Sequence, residues 1–154
     1  MNINDILSEE SILVDFNASS KKHVLDSLSK LAEKEIKVSY KTILDNLIKR
    51  EKLGSTAVGN GIAIPHTNES SLKKPKGFLA ILSSGIEFNA NDNQPVDIVF
   101  LLLAPSNNGS KHLQALALIS RLLKNDELIT KLRGCRTKQS AIAVISQTIQ
   151  NEAA

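Results

Sequence analysis

The segment VDIVFLLL, residues 96–103, is apolar apart from Asp97. Successive side chains of a β-strand point to opposite faces of the sheet, so a run that is apolar at neighbouring positions must be covered on both faces. Strands of this kind lie at the centre of sheets that carry helices on either side. The segment therefore predicts an α/β fold with a mixed, mostly parallel central sheet and helices on both faces.

The remaining elements fit a layered arrangement of this type. Short apolar runs predict further strands at residues 12–14, 62–64, 77–82 and 86–88, with a turn or bulge at 83–85. Apolar periodicity and capping residues predict helices from Ser19 or Ser20 to about residue 35, from Ser39 to Gly54, at 111–124, at 126–132, and from Thr137 to about residue 149. A loop is expected at 105–109, followed by Ser110 as a helix cap.

The length of 154 residues, without repeats or an obvious linker, predicts one domain spanning residues 1–154. The helix at 111–124 is apolar nearly all round, which predicts deep packing.

Residues 54–66, GSTAVGNGIAIPH, place three glycines, a short apolar strand and Pro65 directly before His66. Glycine permits backbone conformations that other residues avoid, and proline fixes φ and lacks a backbone donor. The pattern predicts that His66 is held rigidly at the end of a strand. Because of this specialised backbone, His66 is more strongly indicated as a functional residue than an arbitrary histidine would be.

Composition argues against several classes of function. The net charge of +3 and the aromatic content of 3% do not indicate nucleic-acid binding. The longest apolar run is too short for membrane insertion, and the polar start MNINDILSEE is not a secretory signal. Cys135 is the single cysteine, which rules out an internal disulfide and indicates a reducing compartment. We therefore expect a cytoplasmic protein.

The sequence around the other two histidines favours structural roles. His23 lies in a lysine-rich helix start and is interpreted as a surface histidine. His112 falls at the start of the predicted 111–124 helix, in line with Leu116 and Ile119, so periodicity alone favours a residue packed at the rim of the core.

Searches for other chemistry mostly fail. Gly59, Asn60 and Gly61 form part of a dinucleotide fingerprint, but the third glycine and the following helix are missing. The chain has no Gly-Lys-Ser/Thr phosphate loop, no Cys-x-x-Cys or His-x-x-x-His pair and no nucleophile elbow. No cofactor and no metal are expected, although a site built from two histidines stays open as an alternative.

The chemistry that remains suits the transfer of a phosphoryl group. A neutral imidazole has a lone pair that can attack phosphorus, and a histidine with the ordinary pKa of about 6.5 is mostly neutral at pH 7. Backbone N–H groups, helix N-termini and an arginine such as Arg50 stabilise the charge on the phosphoryl oxygens. We expect the glycine-rich loop to take part through Ser55, Thr56, Gly59, Asn60 and Gly61.

Three segments resemble one known family. REKLGSTAVGNGIAIPH (50–66), NQPVDIVFLLLAP (93–105) and HLQALALISRLL (112–123) are similar, in this order, to enzyme IIA of the bacterial phosphoenolpyruvate-dependent phosphotransferase system, of the fructose/mannitol/nitrogen type. The resemblance covers nearly the whole chain. It departs from the family after His66, where Thr67 and Asn68 stand in place of the family's frequent Gly or Ala.

The resemblance implies roles for three residues. His66 would accept the phosphoryl group from the phosphorylated histidine phosphocarrier protein. His112 would be a second active-site histidine that holds the imidazole or the phosphate, which reverses the interpretation from periodicity. Arg50 matches the family's active-site arginine.

The resemblance leaves the branch of the family open. A stand-alone chain is similar to the nitrogen-type regulatory IIA, which acts on protein targets according to its phosphorylation state. A stand-alone sugar-specific IIA, which passes its phosphate to a IIB domain, is the alternative. A binding module that contacts a partner through the surface around His66, without phosphoryl transfer, is the second alternative.

Overall fold

The computed structural model describes residues 1–106 and 109–153, so residues 107 and 108 of the predicted loop lie outside it. The helices in the described part are α1 (Lys21–Ile36), α2 (Tyr40–Lys52), α3 (Gly109–Leu122), α4 (Asp126–Arg133) and α5 (Lys138–Ala153). The strands there are β1 (Ile12–Phe16), β2 (Ala57–Gly59), β3 (Ile62–Ala63), β4 (His66–Asn68), β5 (Lys76–Ile86) and β6 (Val96–Ala104). Two short 3₁₀ helices, Ile3–Asp5 and Glu9–Ser11, precede β1.

The strands form one sheet in the order β1-β5-β6-β3-β2, and β4 also pairs with β6. The pairings β1–β5, β3–β6 and β4–β6 are parallel, and the pairings β5–β6 and β2–β3 are antiparallel. This confirms the predicted mixed, mostly parallel sheet.

The strand predicted to be central, β6, separates two hydrophobic cores. Its even-numbered side chains, from Ile98 to Leu102, pack in the core that α3, α4 and α5 cover. Its odd-numbered side chains, from Val99 to Leu103, pack in the core that α1 and α2 cover. Successive residues of β6 are thus buried on opposite faces, which is why both the predicted burial and the helices on both faces are confirmed.

Capping fixes where α1 begins and ends. The Ser20 hydroxyl accepts a hydrogen bond from the His23 N–H at 3.0 Å, as an N-cap does. Lys37 adopts a left-handed conformation (φ 60°) immediately after the last turn. Its N–H donates to the Glu33 carbonyl, which closes the helix.

Several predicted boundaries were wrong. Residues 77–82 and 86–88 do not form two strands, because β5 runs unbroken to Ile86 and absorbs the predicted bulge as a shift in its register against β6. Ser110 is not a cap, since α3 begins at Gly109. α3 is not buried all round either, because the Leu113 side chain is 67% exposed.

The strand that leads to His66 is interrupted at Pro65. β3 pairs with the first half of β6 (Ile62 with Ile98), and β4 pairs with its second half (His66 with Leu102). Pro65 accepts a hydrogen bond from the Leu102 N–H at 2.9 Å but has no N–H to return. His66 therefore begins a strand after a break, whereas the sequence predicted that it ends one.

None of the helices within residues 1–106 and 109–153 combines the length and the apolar composition needed to cross a bilayer.

Candidate functional site

The face of the sheet on which His66 lies follows from its pairing. His66 is opposite Leu102 in a parallel pair, and Leu102 packs in the core beneath α3, α4 and α5. Paired residues of a parallel sheet project to the same face, so the imidazole points toward α3. Its side chain is half-buried, which leaves part of the ring open to solvent.

The Nδ1 atom of His66 lies 2.7 Å from the Ile64 carbonyl oxygen. A carbonyl only accepts hydrogen bonds, so Nδ1 carries the proton of the neutral ring. The lone pair of the neutral imidazole is then on Nε2. Ile64 lies between β3 and β4, in the break at Pro65, and its carbonyl accepts from the His66 ring there.

His112 lies in the first turn of α3, and its ring meets that of His66. The two ring centroids are 5.5 Å apart, with an interplanar angle of 62°. The structure thus brings together the two histidines that the family resemblance assigned to one site. Periodicity correctly placed His112 at the rim of the core, where its side chain is half-buried.

The surroundings of His112 favour its neutral form. Burial, and second the neighbouring His66, lower the pKa of His112 below the ordinary value. Its Nδ1 atom is buried and has no hydrogen-bond partner among the described residues. Buried N–H groups without an acceptor are rare, so we assign the ring proton to Nε2. His112 can then donate one hydrogen bond from Nε2.

Arg50 belongs to α2, on the other side of the sheet, and α2 packs against β4. Its Nη1 donates a hydrogen bond to the Gly54 carbonyl at 2.8 Å. The segment after Gly54 runs beside the break in the strand, where the Ile64 N–H donates to the Thr56 carbonyl at 3.0 Å. Arg50 is thereby tied to the segment that leads to the break, and a guanidinium has further N–H groups that a ligand can use.

Ser55 and Thr56 were expected to stabilise phosphate, but their hydroxyls bind protein groups. The Ser55 hydroxyl donates to the Phe88 carbonyl at 2.6 Å and accepts from the Ala57 N–H at 3.1 Å. The Thr56 hydroxyl donates to the Glu51 carboxylate, and its side chain is buried. These contacts shape the loop, and a direct contact of Ser55 or Thr56 with phosphate stays a prediction.

Gly59, Asn60 and Gly61 lie away from His66, at the tight turn between β2 and β3. The Gly61 carbonyl accepts from the Ile98 N–H, whereas His66 is opposite Leu102. Four residues of strand separate these positions, which is about 13 Å. The turn therefore does not reach a phosphoryl group on His66, which corrects the expectation that the whole glycine-rich motif serves one site.

The turn has a structural reason for its glycines. Asn60 and Gly61 have φ values of 57° and 79°, the left-handed conformations of a two-residue hairpin. The Arg133 guanidinium donates to the Asn60 carbonyl at 2.7 Å and to both oxygens of Asp97. A Cβ on Gly61 would lie 2.7 Å from Arg133 Nη2, so this close approach also favours glycine.

Sequence reasoning missed the pairing of Glu51 with Lys21. The Glu51 carboxylate lies 2.7 Å from Lys21 Nζ, and the Glu51 side chain is only 6% exposed. Lys21 Nζ also lies 4.7 Å from the centroid of the Phe88 ring. The two charges are 30 positions apart in the sequence, so no local spacing rule pairs them.

Among the described residues, no three His, Cys, Asp or Glu side chains are grouped so that they could hold a metal ion. A metal at this site would have two histidines as its protein ligands, fewer than structural or catalytic zinc sites use.

Comparisons with known proteins identify the family. The sequence profile of the phosphoenolpyruvate-dependent sugar phosphotransferase system EIIA 2 family matches residues 5–148. The chain belongs to this EIIA 2 family. It is 42% identical over 146 residues to a nitrogen regulatory protein of Bradyrhizobium diazoefficiens, with 95% of each chain covered. It is 33% identical over 155 residues to a nitrogen regulatory protein of Klebsiella oxytoca, covering 100% of this chain and 96% of that one.

The fold of this EIIA 2 protein matches a solved relative. The crystal structure of nitrogen regulatory protein IIA-Ntr from Neisseria meningitidis superposes with a TM-score of 0.86 at 30% identity, covering 93% of this chain and 98% of that chain. The family resemblance found from the three sequence segments is thus confirmed. The segment matched by the EIIA 2 profile contains Arg50, His66 and His112.

Proposed function

We propose that this EIIA 2 protein carries a phosphoryl group on Nε2 of His66, which it accepts from the phosphorylated histidine phosphocarrier protein. The observation that carries the proposal is the hydrogen bond between His66 Nδ1 and the Ile64 carbonyl, 2.7 Å long. It leaves the Nε2 lone pair free on a ring that is half-open to solvent.

The transfer is a simple displacement at phosphorus. The His66 Nε2 lone pair forms a bond to phosphorus while the P–N bond of the donor breaks, and the electron pair of that bond returns to the donor's imidazole. His66 Nδ1 keeps its proton throughout. The Ile64 carbonyl, still accepting from Nδ1, stabilises the positive charge that the ring gains.

His112 and Arg50 suit the role of phosphate stabilisers better than that of acceptors. The Nε2–H that we assign to His112 can donate to a phosphoryl oxygen, and its ring already lies against that of His66. A phosphoryl group would bring negative charge beside His112 and so oppose the lowering of its pKa. Arg50 is tied to the Gly54 carbonyl, in the segment that leads to His66, and adds positive charge to that segment.

The surface near the site suits a protein donor. Leu53, at the end of α2 close to Arg50 in the chain, is 85% exposed, and Leu113, next to His112, is 67% exposed. Both side chains are accessible to a protein partner. The donor's phosphohistidine must come in line with His66 Nε2, which an open surface allows and a closed pocket would prevent.

Within the family, we place the protein in the nitrogen-regulatory branch, because both relatives compared above are nitrogen regulatory proteins over nearly their whole length. In this role the phosphorylation state of His66 would control binding to protein targets. The alternative acceptor is a IIB domain of a sugar permease.

The direct test mixes the protein with phosphoenolpyruvate, enzyme I and the phosphocarrier protein. We expect a mass increase of one phosphoryl group, lost in acid, and absent from His66→Ala. No mass increase in the wild-type protein would contradict the proposal and leave a binding module without phosphoryl transfer.

A second measurement separates the two branches. The phosphoryl group adds about −1.5 to −2 charges to the surface around His66. A target that covers the apolar part of this surface should bind the two forms with affinities about a hundredfold apart, or ~3 kcal/mol. Titration of targets recovered by pull-down, before and after phosphorylation, measures this ratio. Equal affinities for every target, together with transfer to a IIB domain, would assign the protein to the sugar branch.

A further inference from the structure

Glu51, in the last turn of α2, makes several polar contacts through its carboxylate. Its carboxylate accepts from the Thr56 N–H at 3.2 Å and from the Thr56 hydroxyl, and it pairs with Lys21 Nζ at 2.7 Å. The Glu51 side chain is 6% exposed and that of Lys21 is 19% exposed. Because both side chains are mostly buried, solvent screens these charge-assisted hydrogen bonds less, and the contacts hold Thr56 firmly.

Thr56 in turn holds the residue that binds His66. The Thr56 carbonyl accepts from the Ile64 N–H at 3.0 Å. The Ile64 carbonyl accepts from His66 Nδ1 at 2.7 Å. A continuous series of hydrogen bonds therefore runs from the Glu51 carboxylate through Thr56 and Ile64 to the imidazole.

The end of this series decides which ring nitrogen of His66 is free. A neutral imidazole without a fixed partner exchanges its proton between Nδ1 and Nε2, and only the form with the proton on Nδ1 has its lone pair on Nε2. Pro65 has no N–H, so the peptide bond between Ile64 and Pro65 cannot donate a hydrogen bond to the neighbouring strand. The Ile64 carbonyl is then positioned by the Thr56 contact on one side and by the hydrogen bond from the Leu102 N–H to the Pro65 carbonyl on the other.

We propose that Glu51 is a positioning residue for His66: through Thr56 and Ile64 it fixes the imidazole with Nε2 unprotonated and aimed at the donor. The role rests on the proposed phosphoryl transfer to His66. Glu51 itself touches neither the ring nor the phosphoryl group, and the ion pair with Lys21 orients its carboxylate.

The test compares wild-type protein with Glu51→Ala, Glu51→Gln and Thr56→Val. In ¹⁵N-histidine-labelled, unphosphorylated protein at pH 8, long-range ¹H–¹⁵N spectra give the shifts of both ring nitrogens of His66. We expect Nδ1 to be the protonated nitrogen in the wild-type protein. We expect Glu51→Ala to move both shifts toward averaged values, and Glu51→Gln, which keeps one acceptor, to move them less.

Phosphoryl transfer supplies the second readout. Misplacement of a reacting group by a distant substitution can slow a reaction by up to about a hundredfold. We expect Glu51→Ala to lower kcat by about tenfold or more, with little change in KM for the phosphorylated donor, because the docking surface is intact.

The matched control is Glu69→Ala. Glu69 follows β4, and its carboxylate accepts from the Ser71 N–H at 2.8 Å. The substitution therefore removes one acid close to His66 in the chain and leaves the hydrogen bonds from Glu51 through Thr56 and Ile64 to His66 intact. Near-UV circular dichroism checks that each variant is folded. If Glu51→Ala does not fold, Glu51→Gln and Thr56→Val carry the same comparison.

An unchanged His66 tautomer in a folded Glu51 variant would overturn the proposal, as would an equal change in Glu69→Ala. The spectra need no phosphate. If wild-type protein accepts no phosphoryl group, the proposed function fails while the tautomer comparison still decides the role of Glu51.

Discussion

The rings of His66 and His112 lie edge to face, with their centroids 5.5 Å apart. One ring has its Nδ1–H bound to a backbone carbonyl, and the other has a buried Nδ1 without a partner among the described residues. The two histidines therefore differ in chemistry although they are neighbours. His66 presents a lone pair, and His112 presents a donor.

His66→Ala should abolish phosphorylation and leave the fold intact. The side chain is half-buried at the start of a short strand, so its loss should change the free energy of unfolding by about 1 kcal/mol or less. Intact-mass measurement after incubation with the donor system checks the first part, and urea denaturation checks the second. Full labelling of this variant would assign the phosphoryl group to another residue.

His112→Ala should slow transfer by about a hundredfold, the usual effect of removing one donor to a developing oxyanion. The labelled residue should remain His66, because the lone pair on its Nε2 is unaffected. Rapid-quench kinetics followed by site mapping measure both. A variant that is labelled at the wild-type rate would show that His112 has a packing role only.

Arg50→Ala should lower the transfer rate by about tenfold or more, which corresponds to the loss of one charge-assisted hydrogen bond. Arg50→Lys should recover part of the rate, since it keeps the charge but loses the paired N–H geometry of arginine. The ratio of the two rates, with thermal unfolding as a check on folding, is the measurement. Equal rates for wild type and Arg50→Ala would remove Arg50 from the site.

The stability of the unphosphorylated protein should fall as the pH is lowered from 7 to 5. The pKa of His112 is lower in the folded than in the unfolded chain, so the unfolded state binds more protons in this range. The stabilising contribution is complete above the ordinary pKa of about 6.5 and is lost as the pH falls through the folded pKa. Urea denaturation at several pH values should give a smaller pH slope for His112→Asn; identical slopes would contradict this.

Gly61→Ala should destabilise the protein by about 1–3 kcal/mol, because alanine is strained at φ 79°. The new Cβ would also displace the Arg133 guanidinium from the Asn60 carbonyl. Transfer to His66 should be unchanged, since the turn is about 13 Å away along the strand. Gly134→Ala is the control, because φ there is −86° and the added Cβ makes an ordinary contact.

The central part of the fold was predictable from short segments. β6 is apolar at successive positions, and this alone requires helices on both faces. The helices α1 and α5 were predicted within a few residues, because caps and apolar periodicity are local properties. The predicted bounds of the strands at residues 77–88 were wrong, because β5 continues through a register shift where the sequence indicates a turn.

The sequence by itself determined the layered fold, the special backbone before His66 and, through the resemblance, the family. Only the tertiary structure decided which residues share the site. It joins His66 to His112 because the His66 side chain projects to the face of the sheet that α3 covers. It also joins Glu51 of α2 to Lys21 of α1. It separates His66 from Gly61, although five positions apart, because an extended strand advances about 3.3 Å per residue. Distance in the chain and distance in space are unrelated once strands extend and helices pack across them, so contacts of this kind follow only from the fold.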